Sequence, residues 1–462
     1  MGVFAIADLL ERNGYGVKII NYPLEQYLNP NWTLVDYLKK VEFDVCGIDL
    51  HWLHNAYGAI EIAKIVKKVN PNAKVVLGGN SATYYHEQIL KYYKEIDGII
   101  RGDAEIPLLT YMKKRQSMDS LNSVPNLTYR NSSKHIKTNS LSYCAKTLDD
   151  LNFTNVSILE HAREYFEYSR KIMGISFNLP IGRGCPFNCP FCGGGQRAQR
   201  ILAGRNHVVL RRADKVVEDI STICDKFKIP SIFFGHGTYD ASLKYWKQLF
   251  GLIRKENLDI GGDLEIWRLP FPKEMWRSFY KTFPHKHSSI SISPRTLSPK
   301  VHQKIAKLCD PTFRFPLNQI NDLIKNANLF KRTLRIWLTV GYPFQTRLDV
   351  LKDFNFGMKC LLKYGTSNSK PITIMSEPYH IFPGSPAHEF PKSFGINLKY
   401  NSFLGLVEAF KRTKMSHFYN LINYDKKHFS TNSISYLNKL LFLSTAPMFL
   451  TTGSNSPKLR EK

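Results

Sequence analysis

The chain has 462 residues and a formal net charge of +26, from 64 Lys and Arg against 38 Asp and Glu. With 43% hydrophobic and 13% aromatic residues it can build sizeable cores, which excludes a disordered chain and leads us to expect roughly two to four folded domains. Of eight cysteines, Cys46, Cys144, Cys224, Cys309 and Cys360 stand singly, so there is no secreted disulfide framework. The N-terminus has no charged region ahead of an apolar core, and the expected setting is cytoplasmic and reducing.

The longest apolar run, residues 440–450, contains Pro447 and falls short of the roughly 20 residues of a spanning helix, so no transmembrane segment is expected. The positive charge favours a polyanionic neighbour: nucleic acid, anionic lipid headgroups or a phosphorylated substrate. It is spread along the chain, and no Lys/Arg block marks a nucleic-acid site.

In chain order, residues 3–13 read as a helix ending at Gly14 and Gly16, and residues 17–20 as a strand. Helices at 34–40, 56–69 and 82–93 then alternate with strands at 43–48, 73–77 and 97–100. This alternation predicts a doubly wound parallel sheet with both faces covered, binding ligands beyond the carboxyl ends of its strands. Three polar loops lie at those ends: Asp49-Leu50-His51-Trp52-Leu53-His54, Gly78-Gly79-Asn80-Ser81-Ala82-Thr83 and Arg101-Gly102-Asp103-Ala104-Glu105. Gly78 and Gly79 suit a close backbone approach to a ligand.

Residues 116–174 read as a linker with a hairpin, its strands at 127–129 and 135–137 and its turn at 131–134. From residue 175 the chain alternates again as a barrel-like series, with later strands at 231–234, 258–266, 288–293, 334–340 and 372–380. Functional groups of such barrels gather at the carboxyl ends of strands. There the chain carries His236, Tyr239, Glu265, Arg268, Ser291 and Ser293, with further loops at Gly341-Tyr342-Pro343 and Glu377-Pro378-Tyr379-His380. Beyond residue 397 the composition shifts to Lys, Asn, Tyr and Phe, with ten Lys and Arg against three Asp and Glu. A small helical cap, including residues 440–450 as a core helix, and a disordered tail from Thr451 are expected.

The stretch with the most specific chemistry is Gly182-Arg183-Gly184-Cys185-Pro186-Phe187-Asn188-Cys189-Pro190-Phe191-Cys192-Gly193-Gly194-Gly195. Three cysteines at short fixed spacing in a Gly/Pro-rich loop make a metal site. Fe–S clusters normally take four thiolates, and structural zinc also closes at four ligands. Three therefore imply a distant fourth ligand or an iron left open for substrate. Zinc bound with the help of Cys224 or Cys309, or plain buried thiols, are the other readings.

The C-x3-C-x2-C spacing of Cys185, Cys189 and Cys192, with an aromatic before the last, resembles the signature of radical SAM enzymes. The resemblance implies that these cysteines hold a 4Fe-4S cluster whose open iron is chelated by S-adenosylmethionine, with Phe191 against the adenine. It implies Gly193, Gly194, Ser291 and Ser293 as further SAM contacts, though no second Gly-rich element follows Phe234. His236, Tyr239, Glu265 and Arg268 would then be catalytic or substrate-facing.

The N-terminal loops are similar to those of the cobalamin-binding domain that precedes many radical SAM cores. This implies Asp49, His51, Gly78, Gly79, Asn80, Ser81 and Gly102 as cobalamin-binding. Two departures stand out. The fold normally opens with a strand, whereas this chain begins at the helix with Met1-Gly2-Val3, so the first strand is expected to be missing, by a late start or a trimmed sheet. The D-x-H-x-x-G box of some cobalamin proteins is absent too, because Asp49-Leu50-His51 is followed by Tyr57-Gly58 rather than the matching glycine, and His51 is not assigned as an axial ligand. The turn Phe382-Pro383-Gly384-Ser385-Pro386 is similar to the end of such cores.

The expected organisation is α/β: a cobalamin-binding-like sheet over 1–115, a linker over 116–174, a radical SAM partial (βα)6 barrel over 175–396 and a helical extension over 397–462, of an archaeal-type subgroup. Three functions follow. The first is cobalamin-dependent radical methyl transfer to an unactivated carbon. The second is cobalamin-independent radical carbon–carbon bond formation on a lipid or phosphorylated substrate. The third is a non-enzymatic Fe–S or zinc protein. The enzymatic readings imply a one-electron reductant such as ferredoxin or flavodoxin as partner.

Overall fold

The computed structural model describes residues 2–173, 177–364, 372–376, 380–412, 422–427 and 429–445. Two compact units result, one from residues 1–236, 380–393 and 397–424, the other from residues 237–379, 394–396 and 425–462. The expectations for residues 175–176, 377–379, 446–450 and the tail lie outside the described residues.

In the first unit, β1 (Val45–Asp49), β2 (Lys74–Gly78) and β3 (Gly98–Ile100) pair in parallel in that order. Val75 and Leu77 of β2 join one buried cluster with Ile48 and Ile99, whereas Val76 joins another with Ile100. Successive side chains of a strand point to opposite faces, so a continuous Val-Val-Leu run requires both faces to be covered. The helix Ala56–Val69 covers one face with Ala56, Ala59, Ile60, Ala63 and Val66, the spacing of a helical apolar stripe. The helix expected at 82–93 divides into Asn80–Tyr84 and His86–Tyr92, because Tyr85 leaves helical geometry at φ −100° and ψ 18°.

Three expectations need correction here. Residues 17–20 form no strand: among the described residues Ile19 makes only an isolated bridge to Leu159, its N–H donating to Ile158 O at 3.0 Å. Apolar character alone does not make a strand where no neighbouring strand completes the ladder. The hairpin is not part of a linker. Its strands, β4 (Leu127–Arg130) and β5 (Ile136–Thr138), pair with each other and β4 pairs antiparallel with β3, giving a mixed five-stranded sheet in chain order. Leu127 and Tyr129 drive this by entering the cluster around Val76 and Ile100.

The same unit continues with β6 (Phe177–Leu179), β7 (Gly182–Arg183), β8 (Val209–Leu210) and β9 (Ser231–Phe234). Strands β6 and β9 are parallel, and the short β7 and β8 are antiparallel. In the second unit β10 (Gly261–Ile266), β11 (Ser289–Arg295), β12 (Thr333–Leu338) and β13 (Ile372–Ser376) pair in parallel in that order. Helices such as Lys273–Thr282, Leu317–Phe330 and Arg347–Tyr364 alternate with them, which gives the βα series of a partial barrel.

The third correction is the C-terminal cap, which is two helices in two different cores. Phe403, Leu406, Val407 and Phe410 of the helix Phe403–Arg412 complete the apolar cluster of helix Ala56–Val69 in the first unit. The helix Thr431–Thr445 packs on β13 and on helix Arg347–Tyr364 in the second. Its buried Asn438 accepts from Val340 N–H at 2.9 Å and Ser376 hydroxyl at 3.0 Å, and donates to Val340 O at 3.1 Å and Ile434 O at 2.8 Å. Replacing Asn438 by Leu leaves buried backbone groups of residue 340 unpaired, so we expect a loss of about 1–3 kcal/mol per orphaned group, read as a lower denaturation midpoint. A midpoint within error of the parent would show that this amide does not hold the helix in place.

Candidate cofactor site

The cysteine loop is an excursion closed at its base. Gly182 pairs with Leu210 and Arg183 with Val209, and Arg211 N–H donates to Ile181 O at 2.9 Å. Gly184, at φ +87°, lets the chain pass His207 O, which an added Cβ would approach to 2.9 Å. Within the loop Cys192 N–H donates to Cys189 O at 3.2 Å, Gln196 N–H to Phe187 O at 2.8 Å and Arg197 N–H to Asn188 Oδ1 at 2.8 Å. Helix Gln196–Ala203 follows at once.

All three cysteines are half-buried, and Gly194 N–H donates to Cys192 Sγ at 3.3 Å, a bond that favours the thiolate. Among the described residues no three or more His, Cys, Asp and Glu side chains are arranged to hold a single metal ion. On a four-iron cluster three thiolates meet three different irons and need no common centre, so this donor set fits a cluster with one iron left for another ligand. Burial pushes the Cys224 thiol up to about 12, which disfavours it as a thiolate ligand. Phe191 is half-buried beside the last cysteine, and Gly193 would place a Cβ 3.0 Å from Phe382 Cβ and Pro383 O.

The loop after β3 meets this excursion through buried charges. Asp103 Oδ1 lies 3.1 Å from Arg183 Nη1 and its Oδ2 pairs with Arg205, while Glu105 pairs with Arg183. Arg205 is 1% exposed and Glu105 2%. Burial opposes ionisation of Glu105, but the Arg183 guanidinium outweighs it and holds the carboxyl below its ordinary range. Asp103 also accepts from Ala145 N–H at 2.8 Å. The sequence signal for Arg183 was its place two residues before Cys185, while Arg205 carried none.

At the carboxyl edge of the first sheet, Asp49 ends β1 and Gly78 ends β2. The two following loops are knitted together: Leu50 N–H donates to Gly78 O at 2.8 Å, Ser81 N–H and Oγ–H to His51 O at 3.1 and 3.0 Å, and Asn80 starts the next helix. Gly79 packs closely on the neighbouring loop. At φ +105°, an added Cβ would sit 2.6 Å from His51 N and Cα. Gly102 likewise packs closely, since its Cβ would lie 3.0 Å from Ala203 Cα of helix Gln196–Ala203.

His236 is buried at the end of the first unit's β9. In the second unit Glu265 accepts from Trp267 Nε1–H and Ser293 Oγ–H, both at 3.1 Å, and Tyr239 stacks on Trp267 with rings 6° from parallel. Ser291 is buried opposite Glu265 on β11. Arg268 is buried, and its guanidinium donates to Asp310, Thr312 Oγ1 and Trp267 O and lies 5.2 Å over the Phe313 ring. Its charge is thus held by a buried carboxylate and an aromatic face.

Fold and site together define an α/β protein in which a sheet with a parallel core precedes a βα series, with three half-buried cysteines in the loop between β7 and helix Gln196–Ala203. Residues 1–111 match the B12 binding domain and residues 179–355 the Radical SAM superfamily. The chain thus carries a B12 binding domain followed by a Radical SAM domain. It is 23% identical over 445 residues to an uncharacterized methyltransferase of Pyrococcus horikoshii, spanning 96% of this chain and 87% of that protein. It is 24% identical over 240 residues to the hopanoid C-3 methylase of Methylococcus capsulatus, spanning 50% of this chain and 41% of that enzyme. The fold is similar to that of the radical S-adenosylmethionine methyltransferase TsrM from Kitasatospora setae, solved with cobalamin and a [4Fe-4S] cluster, with TM-score 0.65 and 13% identity over 86% of this chain and 74% of that one. Among the described residues no helix is long and apolar enough to cross a membrane.

Gly79→Val forces a side chain into the His51 backbone, so the cofactor-free protein should itself lose stability, by on the order of 2 kcal/mol or more; a variant that unfolds like the parent would refute the backbone clash. Burial holds His51 down to about 4, and His54 also to about 4, so both are neutral at pH 7. Because an unfolded histidine titrates at about 6.5, the stability tied to a neutral half-buried imidazole is complete above that pH and is lost as pH falls towards 4. His51→Gln should therefore flatten the pH dependence of urea unfolding of cofactor-free protein between those limits, by on the order of 1 kcal/mol per pH unit. An unchanged slope would show that His51 titrates as in water.

Proposed function

We propose that the protein is a cobalamin-dependent radical SAM methyltransferase acting at an unactivated carbon of a small anionic or lipid-like substrate. The observation that carries the reading is the cysteine loop's attachment, inside one compact unit, to the B12-type sheet through Asp103, Glu105, Arg183 and Arg205. Cys185, Cys189 and Cys192 would hold the cluster, with Phe191, Gly193 and Gly194 on the SAM side and Ser291 and Ser293 as further SAM contacts. Asp49, His51, Gly78, Asn80 and Ser81 would meet cobalamin from the sheet edge. Bound together, these cofactors supply a 5′-deoxyadenosyl radical and a transferable methyl group.

The chain's own residues supply position and polarity. Neutral His51 can face a cofactor without bringing a buried charge. Glu265, fixed by Trp267 and Ser293, and Tyr239 on the same indole offer a carboxylate and a phenol for orienting substrate, with His236 a further substrate-facing candidate. The net charge of +26 suits an anionic substrate and an acidic one-electron donor of the ferredoxin or flavodoxin kind. The methylase from Methylococcus capsulatus supports a lipid-like alternative within the same chemistry. An oxygen-sensitive cluster suits a cytoplasmic setting.

Anaerobic reconstitution with iron, sulfide and cobalamin tests the reading. Cys185→Ala, Cys189→Ala and Cys192→Ala should each lose the Fe–S absorption near roughly 400 nm and all SAM cleavage, whereas Cys224→Ala and Cys309→Ala keep both. On reduction with SAM the parent should form 5′-deoxyadenosine, and S-adenosylhomocysteine should appear only with cobalamin bound. Loss of the cluster in Cys224→Ala would overturn the three-ligand site, and a parent that never retains cobalamin would overturn methyl transfer.

A further inference from the structure

Residues 382–390 touch both halves of the proposed chemistry within the first unit. On one side Phe382 N–H donates to Phe191 O at 3.0 Å and Ala387 N–H to Pro190 O at 2.8 Å, gripping the backbone of the cysteine loop. Phe382 and Pro383 fill the space above Gly193, and Gly384, at φ +81°, rests on Ala198 of the helix that follows the cysteines.

On the other side the Phe382 ring lies 4.9 Å from the Trp52 ring, in the loop after β1. Glu389 Oε1 accepts from the Tyr84 hydroxyl at 2.8 Å and lies 3.2 Å from His388 Nδ1, and Tyr85 Oη is 3.5 Å from His388 Nε2. The His388 and Tyr84 hydrogen bonds hold the Glu389 carboxyl below its ordinary range against its partial burial. Tyr84 ends the helix Asn80–Tyr84 and Tyr85 caps it, so the peptide that pins the cysteine loop is anchored on the helix whose first residues, Asn80 and Ser81, are candidate cobalamin residues.

We infer that residues 382–390 are a latch that sets the position of the cysteine loop against the cobalamin-facing edge of the sheet, with Tyr84 and Glu389 as its positioning residues. This rests on the methyltransferase reading for its consequence, because radical formation and methyl delivery must be held in register. The latch itself is a property of the chain and is testable without cobalamin. Tyr84→Phe, which removes the donor, and Glu389→Met, which removes the acceptor, break the same hydrogen bond from opposite ends while leaving the cysteines and their backbone bonds intact.

The experiment is amide hydrogen exchange on cluster-reconstituted, cobalamin-free protein. Each variant should raise exchange at the Phe382 and Ala387 amides by roughly fivefold, the factor expected for one lost net hydrogen bond, and the double variant should add nothing further. Cluster absorption and 5′-deoxyadenosine formation on reduction should stay within about twofold of the parent, since neither residue touches the cluster ligands. With cobalamin added, the dipolar coupling between the reduced cluster and cob(II)alamin should give a broader distance distribution than in the parent. Exchange that rises only within residues 80–92, or additively in the double variant, would overturn the latch and leave the functional proposal standing. A parent that never binds cobalamin would sink the functional proposal, and the exchange measurement would still decide the latch. If either variant fails to fold, Tyr85→Phe, which removes the weaker contact at 3.5 Å, should show the same effect in reduced degree; no change at Phe382 and Ala387 there would also overturn it.

Discussion

The interaction on which the first unit depends is the set of buried ion pairs between Asp103 and Glu105, at the carboxyl end of β3, and Arg183 and Arg205, on either side of the cysteine loop. Taking such charges out of water costs about as much as their attraction returns, so they are poor evidence for stability. Their directional geometry, however, penalises any displacement that leaves one member uncompensated. A loop rich in glycine and proline has few side chains of its own to fix its position. Two arginines at its base, each tied to a carboxylate of another element, supply that register.

What the sequence made legible follows the same division between local and distant chemistry. The cysteine spacing and the alternation of helix and strand are local patterns, and most of those elements appear within a few residues of their expected bounds. Residues 17–20 failed as a strand because pairing is non-local, and the hairpin at Leu127–Arg130 was missed as a sheet edge for the same reason. The helix Phe403–Arg412 reads locally as a basic appendage. Only the three-dimensional neighbours of Phe403 and Phe410 show that it completes the core over Ala56–Val69. Tyr84 and Glu389, more than 300 residues apart, could not have been connected by any sequence pattern.

The chemistry of neighbours separates residues that share a strand end. Glu265, near the end of β10, and Arg268, just beyond it, lie three residues apart, yet the carboxylate is held by an indole and a serine and the guanidinium by Asp310 and Phe313. Gly79 and Gly102 are candidate cobalamin residues, and the protein atoms that an added Cβ would meet belong to His51 and Ala203. A glycine at a functional edge can be selected by how tightly the loops that build the edge must pack, which is a condition for the site rather than a contact within it.

The charge of the chain fits this picture. Deeply buried arginines are paired one for one or better: Arg205 with Asp103, Arg211 with Asp219 at 2.7 Å, and Arg268 with Asp310. Pairs of this kind are electrically neutral, so they contribute nothing to the net charge of +26. The excess is therefore carried by the more exposed lysines and arginines, where it acts through long-range attraction and is screened over roughly 8–10 Å at physiological salt. The same residue types thus do two separable things in this protein. Inside, arginine fixes the register of the cysteine loop, whereas outside, positive charge biases the encounter with anionic substrates or reductants, and a change of salt should act on the second without disturbing the first.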